Sequence, residues 1–163
     1  MTLVFSYLQS PVGRLKLVAG DAGLVAVLWE DEDPDRVRLG GLVERPDHAV
    51  LAETSRQLGA YFAGRRRSFT VKLDFRGTDF QKQVWAALLA IPFGETRSYG
   101  QIARALGRPN AARAVGAANG RNPISIIAPC HRVVGSTGAL TGFAGGIAAK
   151  SFLLDHERRH AAA

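Results

Sequence analysis

Ile126-Ile127-Ala128-Pro129-Cys130-His131-Arg132-Val133-Val134 contains the single cysteine of the 163-residue chain, and its reading decides how everything else is understood. A lone thiol has no partner for an internal disulfide and cannot by itself build a thiolate cage around a metal. Inert packing and nucleophilic attack are the readings left. An apolar, strand-like run leads in, and Pro129 restrains the backbone one residue ahead of the thiol. Two cation-capable side chains, His131 and Arg132, follow at once. A nearby cation favours thiolate, the species that attacks. A buried cysteine after a strand is the commoner case, but the rest of the chain favours the nucleophile.

With 47% hydrophobic and 21% charged residues, the composition is that of a soluble globular protein. The length suits one ordinary domain or two small ones sharing an interface. No apolar run approaches the ~20 residues a membrane span needs. The N-terminus runs straight into strand-like alternation, with no basic segment ahead of an apolar core as a secretory signal would have. A single reduced thiol suits a reducing compartment, so a cytoplasmic location and no membrane partner are expected. The net charge of +7 is unevenly spread. Residues 1–77 carry 11 basic and 10 acidic side chains, whereas residues 78–163 carry 10 and 4. The thiol half is the cationic half, which suits a polyanion such as nucleic acid, although net charge also serves solubility.

Working outward, the N-terminal part reads as strands over Leu3–Leu8, Arg14–Ala19 and Leu24–Trp29, punctuated by Pro11 and Gly13 and then by Asp21 and Gly23. Glu30 to Asp35 is an acidic loop. Val50, Leu51, Leu58, Tyr61 and Phe62 share one stripe of a helix over Ala49–Phe62. Arg65-Arg66-Arg67 could touch phosphates but reads more simply as a hydrated turn, and Ser68–Leu73 reads as a further strand. Around Gly77 the pattern changes from strand to helix, which divides the chain into an N-terminal α/β domain, 1–77, and a C-terminal domain, 78–158. A disordered tail is expected over 159–163. Thr78-Asp79-Phe80-Gln81 and Ser98-Tyr99-Gly100-Gln101 each have the form of a capping box. The first opens a helix carrying Phe80, Val84, Trp85, Leu88 and Ile91, and the second a short helix through Leu106. Gly107-Arg108-Pro109-Asn110 then leads to a helix over Ala111–Asn119, which gives a helix-turn-helix pattern. A final helix is expected from Ile147 to about Glu157.

The second helix of that pair, Ala111-Ala112-Arg113-Ala114-Val115-Gly116-Ala117-Ala118, sets one long cation on a surface of small residues. Such a face lets a helix backbone approach another surface closely, and Arg113 can reach beyond it. Tight core packing with Arg113 in a salt bridge wants the same residues; the position just ahead of the thiol motif favours the first reading. Asn122-Pro123 breaks the chain before the strand expected to deliver Cys130. Thr141-Gly142-Phe143-Ala144-Gly145-Gly146 forms a flexible loop without phosphate-binding spacing.

Pro129-Cys130-His131-Arg132-Val133-Val134, preceded by Ala111-Ala112-Arg113-Ala114-Val115-Gly116 and Asn122-Pro123, resembles the O6-alkylguanine-DNA alkyltransferases, the methylated-DNA–protein-cysteine methyltransferases. The resemblance is continuous from about Thr78 to Glu157; the first 77 residues match in general layout. It implies an α/β (α+β) fold in which a ribonuclease-H-like sheet domain packs on a helical domain holding helix-turn-helix and active site. It implies single-turnover transfer of an alkyl group from O6-alkylguanine in flipped-out duplex DNA to Cys130, without cofactor, with O4-alkylthymine left open. The helix bearing Arg113 is expected to enter the ~6 Å-wide minor groove and to present Ala111, Ala112, Ala114, Gly116, Ala117 and Asn119. Arg113 itself fills the gap left by the flipped nucleotide. Tyr99 assists rotation and hydrogen-bonds the guanine, and Asn122 is the hinge of the active-site turn. The carbonyls of Cys130 and Val133 face the guanine amino group, and the amide of Ala144 faces O6. His131 takes the thiol proton through water, and Glu157 holds the imidazole. This suits the chemistry: a saturated carbon calls for a soft nucleophile, and a thiol of ordinary pKa about 8.5 needs a base at neutral pH.

Two departures from relatives stand out. Phe143 replaces a tyrosine, which removes a hydroxyl from the pocket wall, and Ser125 stands where some relatives carry proline, so preference for alkyl size does not transfer. No N-terminal cysteine and only His48 are present where some relatives bind zinc, so no metal is expected. The protein is expected to act as a monomer on double-stranded DNA, with cooperative assembly open. Rival readings are a non-catalytic alkylated-DNA-binding module, which typically lacks the cysteine; a transcription regulator, which needs more polar base-reading side chains; and a cysteine hydrolase, whose adjacent Cys130 and His131 meet only if the chain turns there.

Overall fold

In the computed structural model, which describes residues 2–161, the first three strands form an antiparallel meander: β1 (Leu3–Ser10), β2 (Gly13–Gly20) and β3 (Gly23–Leu28). Gly23 takes the second turn at φ +141°, with its Cα so close to the Lys72 carbonyl that an added Cβ would lie 2.5 Å from it. A short edge strand, β4 (Leu42–Glu44), joins β1 in parallel, giving the sheet order β3-β2-β1-β4. Helix α1 (Ala49–Phe62) covers the sheet with Leu51, Leu58 and Tyr61, all fully buried against Leu15 and Leu17. The strand expected over Ser68–Leu73 does not form. Only Leu73 bridges to Leu24, because the Thr70 amide is taken by the Gln57 side chain at 2.9 Å rather than by a neighbouring strand.

The C-terminal half is helical. Helix α2 (Asp79–Leu89) and helix α3 (Tyr99–Ala105) each begin at a complete capping box, Thr78 with Gln81 and Ser98 with Gln101. Gly107, at φ +73°, turns the chain from α3 into α4 (Ala112–Gly120), and the two helices pack together across that turn. Two-residue strands β5 (Arg97–Ser98) and β6 (Val133–Val134) pair in parallel. Helix α5 spans Ile147–Ala161. It continues past the point where disorder was expected, since its last turn is tied down: Arg67 donates to the His160 carbonyl at 2.5 Å, and His160 lies against Gly64. Residues 162 and 163 of the expected tail lie outside the described residues.

The packing does not divide where the sequence pattern does. One core joins the sheet and α1 to Ile124, Ile126, Ile127 and Ala128 and to Ala149 and Leu153 of α5. A second core gathers Val84, Trp85, Leu88, Ile102, Ala103 and Val115 around Cys130 and Val133. The segment 124–133 therefore stitches the two cores together, each buried aliphatic contributing about 1.5–3 kcal/mol. Backbone bonds reinforce the seam: Val27 donates to the Pro123 carbonyl at 2.9 Å, and Ser125 to that of Val27 at 3.4 Å.

Candidate active site

Between Asn122 and Val133 the backbone folds through a series of tight turns instead of the expected strand. Ile126 has φ +72°, the left-handed region that a β-branched residue seldom occupies. Ile127 N–H closes back on the Ser125 carbonyl at 2.8 Å around it. Strain of this kind persists only where its surroundings enforce it. Here the buried Asn122 side chain donates to the Ala128 carbonyl at 2.8 Å and accepts from Ile124 N–H at 3.0 Å, and Ile126 is fully buried. Pro129, at φ −82° and ψ 67°, makes an inverse γ-turn in which Cys130 N–H meets the Ala128 carbonyl at 2.8 Å. A 3-10 turn over Cys130–Arg132 follows. The chain thus turns at the thiol, the condition that lets neighbouring residues act at one place.

His131 and Glu157 meet in the interior, Nε2 to Oε2 at 2.7 Å, with side chains 0% and 1% exposed. Glu157 also accepts from Tyr61 Oη at 2.6 Å and from Arg132 Nε and Nη2 at 2.8 and 3.0 Å. Burial works to raise the Glu157 pKa, but the hydrogen bonds from His131 and Arg132 and the Arg132 charge prevail and hold it well below the usual carboxylate range. Burial lowers the pKa of His131, outweighing the opposite pull of Glu157. The pair is therefore neutral imidazole and carboxylate. The Nε2–H donates to Glu157, and the lone pair is left on Nδ1, a buried atom with no hydrogen-bond partner among the described residues.

Cys130 is 4% exposed, and burial pushes its thiol above the ordinary value; the Asn122 side chain and the charges of Arg36 and Lys150 pull the other way. The cations favouring thiolate are thus not the sequence neighbours His131 and Arg132. Arg132 is spent on Glu157 and on the Ile91 carbonyl, at 2.6 Å. Lys150, fully buried on α5, donates to the Val133 carbonyl at 2.6 Å and to Thr141 at 3.4 Å. Arg36 pairs with Glu32 and clasps the Asn122 carbonyl at 2.7 Å and that of Gly120 at 3.2 Å.

The β5–β6 pairing brings Tyr99, which follows Ser98, beside the turn that follows Cys130. Its ring packs on Gly116 of α4, where a Cβ would sit 3.7 Å from Cδ1, and its hydroxyl bonds Thr141. Along α4 the stripe Val115, Ala118, Asn119 is buried, whereas Arg113, Ala114 and Ala117 are exposed on the other side, and Ala111, Ala112 and Gly116 are half-buried. Asn119 therefore does not face outward as expected: four residues after the buried Val115 and next to Ala118, it falls on the core side of the helix. Ser125 and Val133 are fully buried and Phe143 and Ala144 half-buried. Ser125 accepts from Trp29 Nε1 at 3.0 Å. The carbonyls of Cys130 and Val133 already accept from Val133 N–H and Lys150, which leaves each one lone pair for a ligand.

Cys130, His131, Asn122, Glu157 and Val133 are all buried: His131 is bonded to Glu157, the Asn122 side chain acts on the thiol, and Tyr99 and Phe143 pack against the core that holds Cys130 and Val133. Sequence reasoning missed Tyr61, Lys150, Arg36, Trp29 and Thr141. Their one sequence-level signal is that buried lysine and tyrosine need partners, and burial of these residues is not readable from local pattern.

The sequence matches the family described as 6-O-methylguanine DNA methyltransferase over both parts: its ribonuclease-like domain at residues 3–75 and its DNA-binding domain at 79–159. The methylated-DNA–protein-cysteine methyltransferase of Mycolicibacterium paratuberculosis is 50% identical, covering 95% of this chain and 92% of its own length. That of Methanosarcina acetivorans is 48% identical over 95% and 98%. The crystal structure of Mycobacterium tuberculosis OGT in complex with DNA is similar at TM-score 0.86 and 47% identity, covering 98% of this chain and 94% of that one.

Glu157→Gln leaves Arg132 buried against a neutral partner and is expected to cost about 3–5 kcal/mol at neutral pH, measured by urea denaturation. Both folded-state pKa shifts are downward, for Glu157 and for His131, so unfolding takes up protons as the medium turns acid. Stability should therefore be full above 6.5, the ordinary histidine value, and decline below it, then further as pH falls past the ordinary carboxylate value of 4.5. The variant should lose the second part of that decline. Iodoacetamide should modify Cys130 slowly at pH 7 and ever faster as the pH rises past the ordinary thiol value of about 8.5; a plateau reached by pH 8 would contradict the burial of the thiol.

Proposed function

The chain belongs to the 6-O-methylguanine DNA methyltransferase family, and from that premise we propose that it repairs duplex DNA by direct reversal, moving the alkyl group of O6-alkylguanine onto Cys130 once and irreversibly. The observation that supports this most is the His131 imidazole, fixed by Glu157 through Nε2 and left with a free lone pair on Nδ1, in the turn that carries the only thiol.

The thiol proton passes to His131 Nδ1 through a bridging water, and Glu157 stabilises the imidazolium that results. The transfer runs uphill from a buried thiol to a buried imidazole, so thiolate is a transient species, favoured by Lys150 and Arg36. Sulfur then displaces guanine at the saturated carbon: the C–S bond forms as the C–O6 bond breaks. Tyr99, whose hydroxyl exchanges Thr141 for the base, gives the leaving guanine a proton and regains, through solvent, the one that His131 releases. The product is a thioether stable to water, so each molecule acts once.

The minor groove receives α4 by its exposed side, with Arg113 reaching into the stack and Ala114 and Ala117 allowing close approach. Asn122 fixes the hinge of the turn, and Ser125, Val133, Phe143 and Ala144 enclose the alkylated base. No helix among the described residues is long and apolar enough to cross a membrane. With its single reduced thiol, the protein acts in the cytoplasm, as a monomer and without a cofactor.

Incubation with a duplex carrying O6-methylguanine should add the mass of one methyl group to the intact protein, at Cys130, and none to Cys130→Ala; turnover beyond one equivalent would refute the single-use mechanism. Flipping a nucleotide costs a few kcal/mol. Arg113→Ala should therefore slow transfer from duplex DNA about 100-fold and leave transfer from the free alkylated base nearly unchanged, both read as single-turnover rates.

A further inference from the structure

Trp29 lies just beyond β3, in the N-terminal half, yet it contacts two side chains of the site's wall and the glycine that follows Ala144. Its indole N–H donates to Ser125 Oγ at 3.0 Å. Its ring meets Phe143 edge to face, with centroids 5.4 Å apart and planes at 67°. Gly145 lies flat against it: a Cβ there would fall 2.6 Å from Cδ2 and 2.7 Å from Cε2 and Cε3, so only glycine fits. Trp29 is 6% exposed, and a buried indole N–H seeks a partner; Ser125 supplies it. The side chain is thus held by a hydrogen bond on one side and by close packing on the other.

The same indole borders a cavity of about 280 Å³ lined by Glu30–Glu32 and Ala144–Gly146, to which neither Ser125 nor Phe143 contributes. The ring therefore stands between that hollow and the two side chains of the pocket wall. We infer that Trp29 limits the size of alkyl group the protein accepts: it backs Ser125 and Phe143 and closes off space that a larger substituent would otherwise fill. It acts through those residues, so it is a positioning residue. The inference rests on the alkyl-transfer reading and extends it to substrate choice.

Single-turnover rates on duplexes carrying O6-methylguanine or O6-benzylguanine test it, for the wild-type chain, Trp29→Leu and Trp29→Phe. Trp29→Leu opens the hollow to the pocket and should raise the benzyl-to-methyl rate ratio about ten-fold or more, with the methyl rate held within about three-fold. Trp29→Phe keeps a ring but loses the donor to Ser125 and should raise the ratio less. It carries the test alone should circular dichroism show the leucine variant unfolded. A ratio unchanged in the folded variants overturns the inference, as does an equal fall in both rates, which marks a structural role only. A wild-type chain unable to move methyl from DNA contradicts the transfer reading itself.

Discussion

A single carboxylate holds this molecule's working parts in register. Glu157, on α5, accepts hydrogen bonds from Tyr61 on α1 and from His131 and Arg132 in the turn after the thiol. Two charges and one neutral ring thus make up a buried cluster with no net charge. Assembling it carries a desolvation cost; removing either charge leaves the other uncompensated in the interior, and removing the ring or the phenol leaves the carboxylate short of a donor. That asymmetry makes the arrangement all-or-none. It also fixes the imidazole tautomer: with Nε2–H committed to Glu157, the basic lone pair can lie only on Nδ1.

The thiol is managed by the opposite principle. A catalyst that turns over repeatedly gains from a nucleophile ionised at rest, and relies on a low thiol pKa to obtain it. Cys130 is buried and its pKa raised. A protein used once per lesion has little need of standing thiolate and much to lose from it, since an exposed thiolate is open to oxidation or alkylation before a lesion is met. Burial keeps the sulfur in reserve, while Lys150 and Arg36, each held by backbone carbonyls, sit where charge appears only when a proton leaves.

The local signals in the sequence were reliable where the structure is local. Turn glycines framed the meander, the apolar stripe gave α1 its limits, and both capping boxes start helices at the residues they mark. Legibility failed wherever a distant partner overrides local preference. An apolar run ahead of Pro129 reads as strand, but Asn122 diverts its backbone into tight turns that no pattern of side chains announces. Ser68–Leu73 loses its strand to a glutamine on α1. Asn119 was misplaced because a helix so rich in alanine has no clear apolar stripe to orient it. Lys150 looks like any surface lysine of a terminal helix, and its burial follows from its place beside the core residue Ala149, on a helix packed against the turn that begins at Cys130.

The contribution of the N-terminal half becomes clear from these same distant contacts. Apart from the charge of Arg36 it supplies none of the residues assigned to the chemistry, yet four of its residues bond the parts that carry it. Val27 of β3 pairs with Pro123 and Ser125, Trp29 holds Ser125, Arg36 clasps the hinge carbonyls, and Tyr61 of α1 reaches Glu157. A left-handed isoleucine and a run of consecutive tight turns have little stability of their own. They persist because Ile124, Ile126, Ile127 and Ala128 are also core residues of the neighbouring sheet. The sheet domain therefore acts as the mould of the active-site turn, and the free energy of its packing keeps the thiol, the imidazole and the carboxylate at one place.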